Sequence, residues 1–565
     1  MRFRITTAHV TILILITAGY LSLTNLDLTY FWDDEAFVGI MAKNFLNTGE
    51  LTAWDGRNLA AYVNGNELTN DLISINPPLD NLVAAVSFWI FGATTWAGRF
   101  PFVLFGLASI IVFSLLLRQH TEKDPWLWFY VLGSYAYSLG FLMNVRQCRY
   151  YALALFFSLL TLFLYHQCLR RKKVLYYILL AVSSGFLFYS NFLLAFAFLC
   201  SLILLHLLFY RNQLQQNDWF KVGLAIAIFA LLTAPYAYYI RIWAHPDYSG
   251  IGGISLILQN FWYQNALGRL PWPVVPALVY FMIRSRRTGD QKIRLILQWV
   301  VLSASNVLVI SLLSNYSGFF VEHYLILSLP FLAGLTGICI RYLHQRNSII
   351  AIAVFIAILT TNIMSAAPLG SKIPYSQRPG IHDLRNRNPY EWQFEWRLPA
   401  YLHEIYNKYP TAEESVARFL DRYASQDDLV YSPTPSRLIS LMFYKGEKIK
   451  ICCLLENGTP LPRDKLANLK APLFYEENFP NWLIVYGYFP AAKAMLHYFS
   501  RPHQEGEVTT RYYYRHVSTP NIFWYYSHRP ELAVHRFGPH AEFDSSKGEA
   551  VYIFQRFPKA GDESH

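Results

Sequence analysis

The sequence predicts a polytopic α-helical membrane protein that ends in a soluble α/β domain, and three observations carry that reading. Of 565 residues, 54% are apolar and 17% aromatic, while only 15% are charged, against about a quarter in ordinary soluble domains. Apolar runs of spanning length fill the chain up to about Leu369, and almost none follow. The formal charge of +11 gathers in the short loops between those runs, so the partner it serves is a bilayer and not nucleic acid.

Runs of roughly 17 to 25 apolar residues can cross a bilayer, and eleven are present, at 8–29, 99–117, 126–145, 150–168, 174–191, 192–210, 221–242, 271–284, 295–314, 321–340 and 348–368. A twelfth candidate, PPLDNLVAAVSFWIFG at 77–92, is short and opens with Pro77 and Pro78. If it does not cross and MRFR is cytoplasmic, one side holds 17 basic residues, including LRRKK and IRSRRTGDQKIR. The opposite side, before residue 370, holds only Lys43, Arg57, Arg99, Arg146, Arg149, Arg241 and Arg269. The positive-inside rule therefore makes 77–92 a helix lying in the outer interface. LSLTNLDLTY has no small-residue cleavage site, so the first run reads as a retained helix.

That topology divides the chain into a membrane domain, 1–369, and a soluble extracytoplasmic domain, 370–565. It also collects the unusual polar segments on the outer face: the loop 30–98, NVRQCRYY at 144–151, the loop 240–270 and NYSGFFVEHY at 315–324. The first of these opens with FWDDEAFVGIMAKNFLNTGE. Phe37, Ile40, Met41, Asn44 and Phe45 recur at helical spacing and Gly49 supplies a stop, so a short amphipathic helix runs from Glu35 with Asp33 or Asp34 as its N-cap. Capping is worth about 1 kcal/mol and accounts for one acid. Three carboxylates at a hydrocarbon boundary are costly unless paired or used, which makes Asp33, Asp34 and Glu35 the candidate catalytic residues.

DDEAFVGIMAKNFLNTGE, then NPPL and WIFG, GRFPFVLFG and RYYALALFFSLL, in that order, resemble the polyprenyl-phosphate-sugar-dependent glycosyltransferases of the protein O-mannosyltransferase and lipid A aminoarabinose transferase superfamily. The motifs cover roughly the first 190 residues. The resemblance implies the C-type glycosyltransferase fold, with about eleven transmembrane helices and juxtamembrane helices in the first outer loop. It implies hexosyl or pentosyl transfer at the outer face of a bacterial inner membrane, from a polyprenyl-phosphate sugar donor to a lipid, glycan or protein acceptor. It further implies a catalytic base or acceptor-orienting carboxylate at Asp34, with Glu35 supporting the helix or the site. Inverting transfer requires such a base, and cations to stabilise the departing phosphate.

Arginine suits phosphate because its planar fork binds two oxygens. The outer side offers Arg146 and Arg149 in NVRQCRYY, and Arg241 and Arg269 beside the 240–270 loop. A snorkelling arginine at a helix end is the ordinary alternative, above all for Arg241 and Arg269. Arg149 matches the family's Arg-x-Tyr at the start of a helix. His323, in VEHYLILSLP, stands where relatives carry arginine, and a histidine contacts phosphate strongly only when protonated.

Aminoarabinose transferases carry Glu-Lys-Pro before the second interfacial helix, with the glutamate at a metal; here Ile75, Asn76 and Pro77 take those places. A divalent metal is thus the one cofactor to consider, and His245, Asp247, Glu322 and His323 supply ligand types without ligand spacing.

In the last third, QDDLVYS, EKIKICCLL, NWLIVYGYF and EAVYIFQRF read as strands, and TPSRLISLMFYKG and FPAAKAMLHYFS as helices, an alternation typical of α/β domains. The competing reading, a transporter or a non-catalytic scaffold, lacks the internal repeat and midplane helix breaks that transporters show.

Overall fold

In hydrocarbon every backbone polar group must be satisfied internally, and a helix does this within one segment. The apolar runs accordingly form helices. In a computed structural model the described residues are 6–61, 67–121, 124–216, 218–241, 269–285, 291–313, 322–364, 396–408, 411–432, 438–452, 479–486, 549–557 and scattered positions within 257–264 and 496–524.

In chain order the helices are α1 (Thr7–Leu23), α2 (Asp33–Thr48), α3 (Leu79–Phe91), α4 (Thr95–His120), α5 (Pro125–Ala136), α6 (Leu139–Val145), α7 (Tyr151–Arg171), α8 (Val174–Ser190), α9 (Phe192–Phe209) and α10 (Asp218–Tyr239). After them come α11 (Val274–Ser285), α12 (Gln291–Leu313), a 3-10 turn (Glu322–Ser328), α13 (Leu329–Arg346), α14 (Ser348–Thr360), α15 (Arg397–Tyr406), α16 (Ala412–Tyr423) and α17 (Ile439–Lys445).

Among the described residues, six of the eleven expected spans contain a helix long and apolar enough to cross a membrane. Three others form the shorter apolar helices α1, α8 and α14. The run 126–145 is not one helix: α5 stops at Ala136, and Ser138 starts α6 by accepting the Phe141 N–H at 3.2 Å. A serine hydroxyl that can cap a new helix competes with continuation of the old one. The segment 77–92 forms α3, whose 13 residues rise only about 20 Å, short of the hydrocarbon thickness. Val86, Trp89, Ile90 and Phe91 on it are exposed.

The chain falls into two units. One comprises 1–25, 100–406 and 529–540; the other comprises 26–99, 407–528 and 541–565. In the first, α13 lies along α5 and α12 along α9, with α7 against α8. In the second, α2 packs on α3 and on α17.

The second unit also contains β1 (Leu429–Tyr431), β2 (Lys450–Cys452), β3 (Trp482–Tyr486), β4 (His503–Glu505), β5 (Val508–Thr510), β6 (Tyr513–His516), β7 (Phe523–Trp524) and β8 (Glu549–Phe557). The main sheet runs β2-β1-β3-β8-β6, with β7 beside β8. β1 pairs in parallel with β2 and β3, whereas β8 is antiparallel to β3 and β6. The four segments read as strands in the sequence supply β1, β2, β3 and β8. FPAAKAMLHYFS lies largely outside the described residues.

Buried Asn58 ties the segment between α2 and α3 to this sheet. Its amide donates to the Gly446 carbonyl at 3.0 Å and accepts the Ile451 N–H at 2.7 Å. An amide side chain that uses both its functions across so long a sequence separation fixes a loop as a backbone ladder would.

Candidate active site

The acidic helix starts two residues earlier than expected. α2 begins at Asp33 with Trp32 as N-cap and no side-chain capping bond, so neither aspartate is the cap. Asp33, Asp34 and Glu35 instead occupy the first turn, where unsatisfied N–H groups and the helix dipole favour anions. Gly49 ends the helix in the left-handed conformation, φ 80°, and donates its N–H to the Phe45 carbonyl, as the glycine stop required.

Successive residues on a helix diverge by about 100°, so the three acids meet different surroundings. Glu35 is fully buried and gripped by Arg99, whose Nε donates to Oε1 at 2.8 Å and Nη2 to Oε2 at 2.6 Å. The same guanidinium donates to the carbonyls of Leu26 (2.7 Å), Thr29 (3.0 Å) and Tyr30 (3.2 Å). Asp33 is 1% exposed, whereas Asp34 is half-buried. Asp34 is therefore the carboxylate of the three that solvent can reach.

The approach to α2 is equally fixed. Phe31, fully buried, donates its N–H to the Tyr444 hydroxyl at 2.8 Å and accepts from Ser440 Oγ at 2.6 Å. Gly98 makes room for its ring, since a β-carbon there would collide with Phe31. Tyr30 stacks on Tyr444 with centroids 3.8 Å apart. Both ends of the WDDE segment are thus anchored within one unit.

The arginines belong to the other unit and take different roles. Arg146 Nη1 donates to the carbonyls of Leu21 (3.3 Å), Ser22 (2.9 Å) and Thr24 (2.7 Å), and Nη2 to Asn25 (3.1 Å). It gathers the carbonyls left over at the end of α1. Its guanidinium also lies over the Tyr401 ring, 6.0 Å from the centroid.

Arg149, half-buried, lies over the Tyr150 ring at 5.4 Å. Tyr150 in turn lies parallel to Tyr324, 6.4 Å away and 11° off plane. The start of α7 and the 3-10 turn Glu322–Ser328 are thereby neighbours. The side chains of Glu322 and His323 lie outside the described residues, as do His245 and Asp247. Among the described residues no group of three or more His, Cys, Asp or Glu could hold a metal.

Arg241 is exposed at the end of α10 with φ 51°. Arg269 is only 3% exposed and lines a cavity with Arg397, which is 6% exposed. Sequence reasoning gave Arg99 no part in the site and passed over Arg397. Arg99 carries a weak signal, an arginine opening the first spanning helix after an acidic loop; Arg397, in WRLPAYLHE, carries none.

No protein-family model matches the sequence, and no curated protein matches it. Its fold matches ArnT from Cupriavidus metallidurans in a crystal structure bound to undecaprenyl phosphate, with TM-score 0.52 and 14% identity, over 87% of this chain and 95% of ArnT. The apo structure of the same protein matches at TM-score 0.52 and 14% identity, over 86% and 93% of the two chains. The likeness gives the chain the C-type glycosyltransferase fold that the motif resemblance implies.

Proposed function

We propose that this protein transfers a sugar from a polyprenyl-monophosphate-linked donor to an acceptor hydroxyl at the outer face of the membrane. The observation that carries the proposal is the fold shared over most of its length with ArnT, which binds undecaprenyl phosphate. The acidic first turn of α2 and the arginines of the other unit support it from the residues upward.

In this reading the acceptor oxygen attacks the anomeric carbon while its proton passes to Asp34. The bond from that carbon to the phosphate oxygen breaks, its electron pair leaves with polyprenyl phosphate, and the configuration inverts. Asp34 takes the proton because it is the accessible acid, whereas Glu35 is held by Arg99. Asp33, 1% exposed, is closed to the acceptor. A positioned base of this kind contributes about a hundred- to ten-thousandfold.

Arg149 meets the donor phosphate at the start of α7, where the guanidinium and the positive helix end act together. Arg146 is committed to four backbone carbonyls and serves the end of α1. Residues 370–565 and the loop 30–98 face the outside, and the bilayer is the inner membrane of a bacterium.

The direct test is turnover. The purified full chain is incubated with labelled polyprenyl-phosphate sugars and a membrane extract as acceptor source, and release of polyprenyl phosphate is followed. Sugar transferred with stoichiometric release is expected; inertness toward every such donor would overturn the proposal.

A further inference from the structure

We propose that Ser440 and Tyr444 are positioning residues of the transfer reaction: their hydroxyls clamp the two backbone polar groups of Phe31 and thereby fix the helical register that presents Asp34. This rests on the transferase reading above and gives a part in it to residues that lie 409 and 413 positions downstream of Phe31.

The start of α2 poses a physical problem. Its N-cap, Trp32, supplies no side-chain hydrogen bond, and a first turn without such a cap has lost the usual device that pins it. Register matters here because neighbouring acids differ in exposure: Asp33 is buried, whereas Asp34 is half-buried. A rotation of the turn by one position, about 100°, would exchange the two.

The pinning comes from α17. Ser440 and Tyr444 stand four residues apart and so share one face of that helix. Ser440 Oγ donates to the Phe31 carbonyl at 2.6 Å, and the Tyr444 hydroxyl accepts the Phe31 N–H at 2.8 Å. Both backbone groups of a buried residue thus find partners on one helix face, three positions before Asp34. The ring of Phe31 lies 5.0 Å from that of Phe443, between centroids, and a β-carbon at Gly39 of α2 would collide with Phe443.

The clamp has a rigid base. α17 is the crossover between β1 and β2, which pair in parallel. Ile439, Ser440 and Leu441 are fully buried, and Asn58 holds the Gly446 carbonyl just past the helix end. Tyr444 also reaches α4: its hydroxyl is 2.7 Å from Thr95 Oγ1, and one turn further along α4 Arg99 grips Glu35. Asp33 and Asp34 therefore lie between two held residues, Phe31 and Glu35.

A general base must stand within hydrogen-bond reach of the proton it takes, and a misplacement of about 1 Å can cost about a hundredfold. Loosening the clamp should lower kcat. The donor KM should stay at its wild-type value, because the donor phosphate is met by Arg149 and not by this segment.

The test uses the full chain in detergent, assayed with polyprenyl-phosphate sugars and a membrane extract at a temperature well below the Tm of each variant. Tyr444→Phe keeps the ring that stacks on Tyr30 and removes the hydroxyl; Ser440→Ala removes the other hydroxyl. Each should reduce kcat by roughly ten- to a hundredfold with the donor KM unchanged. Introduced into Asp34→Asn, the same changes should hardly alter the residual turnover, since a clamp that acts through Asp34 has nothing left to position. Backbone hydrogen exchange should quicken at residues 31–36 more than at 38–45.

Wild-type kcat in both folded variants overturns the proposal, and so does full additivity of Tyr444→Phe with Asp34→Asn, the behaviour of a residue that merely supports the fold. If the wild-type protein turns over no donor, the transferase reading falls, and hydrogen exchange decides the clamp by itself: quickened exchange at 31–36 supports it and unchanged exchange removes it. Should Tyr444→Phe fail to fold, Ser440→Ala decides by the same readouts.

Discussion

Arg99 holds Glu35 by two parallel hydrogen bonds, Nε to Oε1 at 2.8 Å and Nη2 to Oε2 at 2.6 Å, with the carboxylate fully buried. The remaining donors of the guanidinium reach the carbonyls of Leu26, Thr29 and Tyr30. One side chain thus fixes both the first turn of α2 and the segment that leads into it. A planar fork is what permits this; an ammonium group has neither the reach nor the number of donors.

Removing either partner leaves the other charge buried and uncompensated. Breaking such a pair costs about 3–5 kcal/mol, so Glu35→Gln and Arg99→Gln should each lower Tm clearly, and Arg99→Lys by less. Thermal unfolding of the three variants in one detergent measures this. A Tm unchanged in Glu35→Gln would mean that the pair contributes nothing to anchoring the acidic turn.

Glu404, on α15, predicts a pH dependence. Burial pushes its carboxyl up to about 8, with Arg146 pulling the other way. Its Oε1 is buried and has no hydrogen-bond partner among the described residues. The unfolded chain releases this proton near the ordinary glutamate value, about 4.3. Between that value and about 8 the folded state binds more protons than the unfolded one, so this contribution is fully present at low pH and declines as pH rises. Glu404→Gln imitates the neutral acid. Its Tm relative to wild type should climb from pH 5 to pH 8; a difference that does not vary with pH would refute the assignment.

Topology makes an independent prediction. The loops on one side carry 17 basic residues against seven on the other, so a reporter inserted in 286–290 should be cytoplasmic and one after Leu369 extracytoplasmic. The inverse pattern would move the acidic loop to the wrong side for transfer at the outer face.

Much of this was legible in the sequence, and what was not has a common cause. The apolar runs, the glycine stop at Gly49 and the four strand segments are local signals, each readable within about ten residues. The break between α5 and α6 is weaker because Tyr137 and Ser138 interrupt no run of apolar character. Arg99 and Glu35 are 64 positions apart, and Asn58 meets Gly446 across 388. No periodicity reports such pairs. The same holds for Arg397, whose neighbours in the cavity come from four other stretches of chain. The cap was misplaced for a different reason: an aspartate beside a helix start is a good N-cap by propensity, but the chain continues the helix through both aspartates back to Trp32.

That shift in the helix start sharpens the test of Asp34. Because Trp32 occupies the N-cap position, Asp34→Asn removes no cap, only a negative charge in the first turn, an effect of about 0.3–1 kcal/mol. A structural role therefore predicts a protein slightly less stable than wild type with nearly normal transfer. A base at Asp34 predicts the same slight loss of stability but turnover reduced by about a hundredfold or more, since an amide cannot accept the proton of the attacking hydroxyl. Asp33→Asn is the control: Asp33 is 1% exposed, so its replacement should act mainly on Tm. Transfer and Tm measured on both variants in one detergent separate the cases. Retained turnover in a folded Asp34→Asn would sink the assignment of the base, and equal losses of turnover in both folded variants would make the two aspartates a coupled pair that shares the proton.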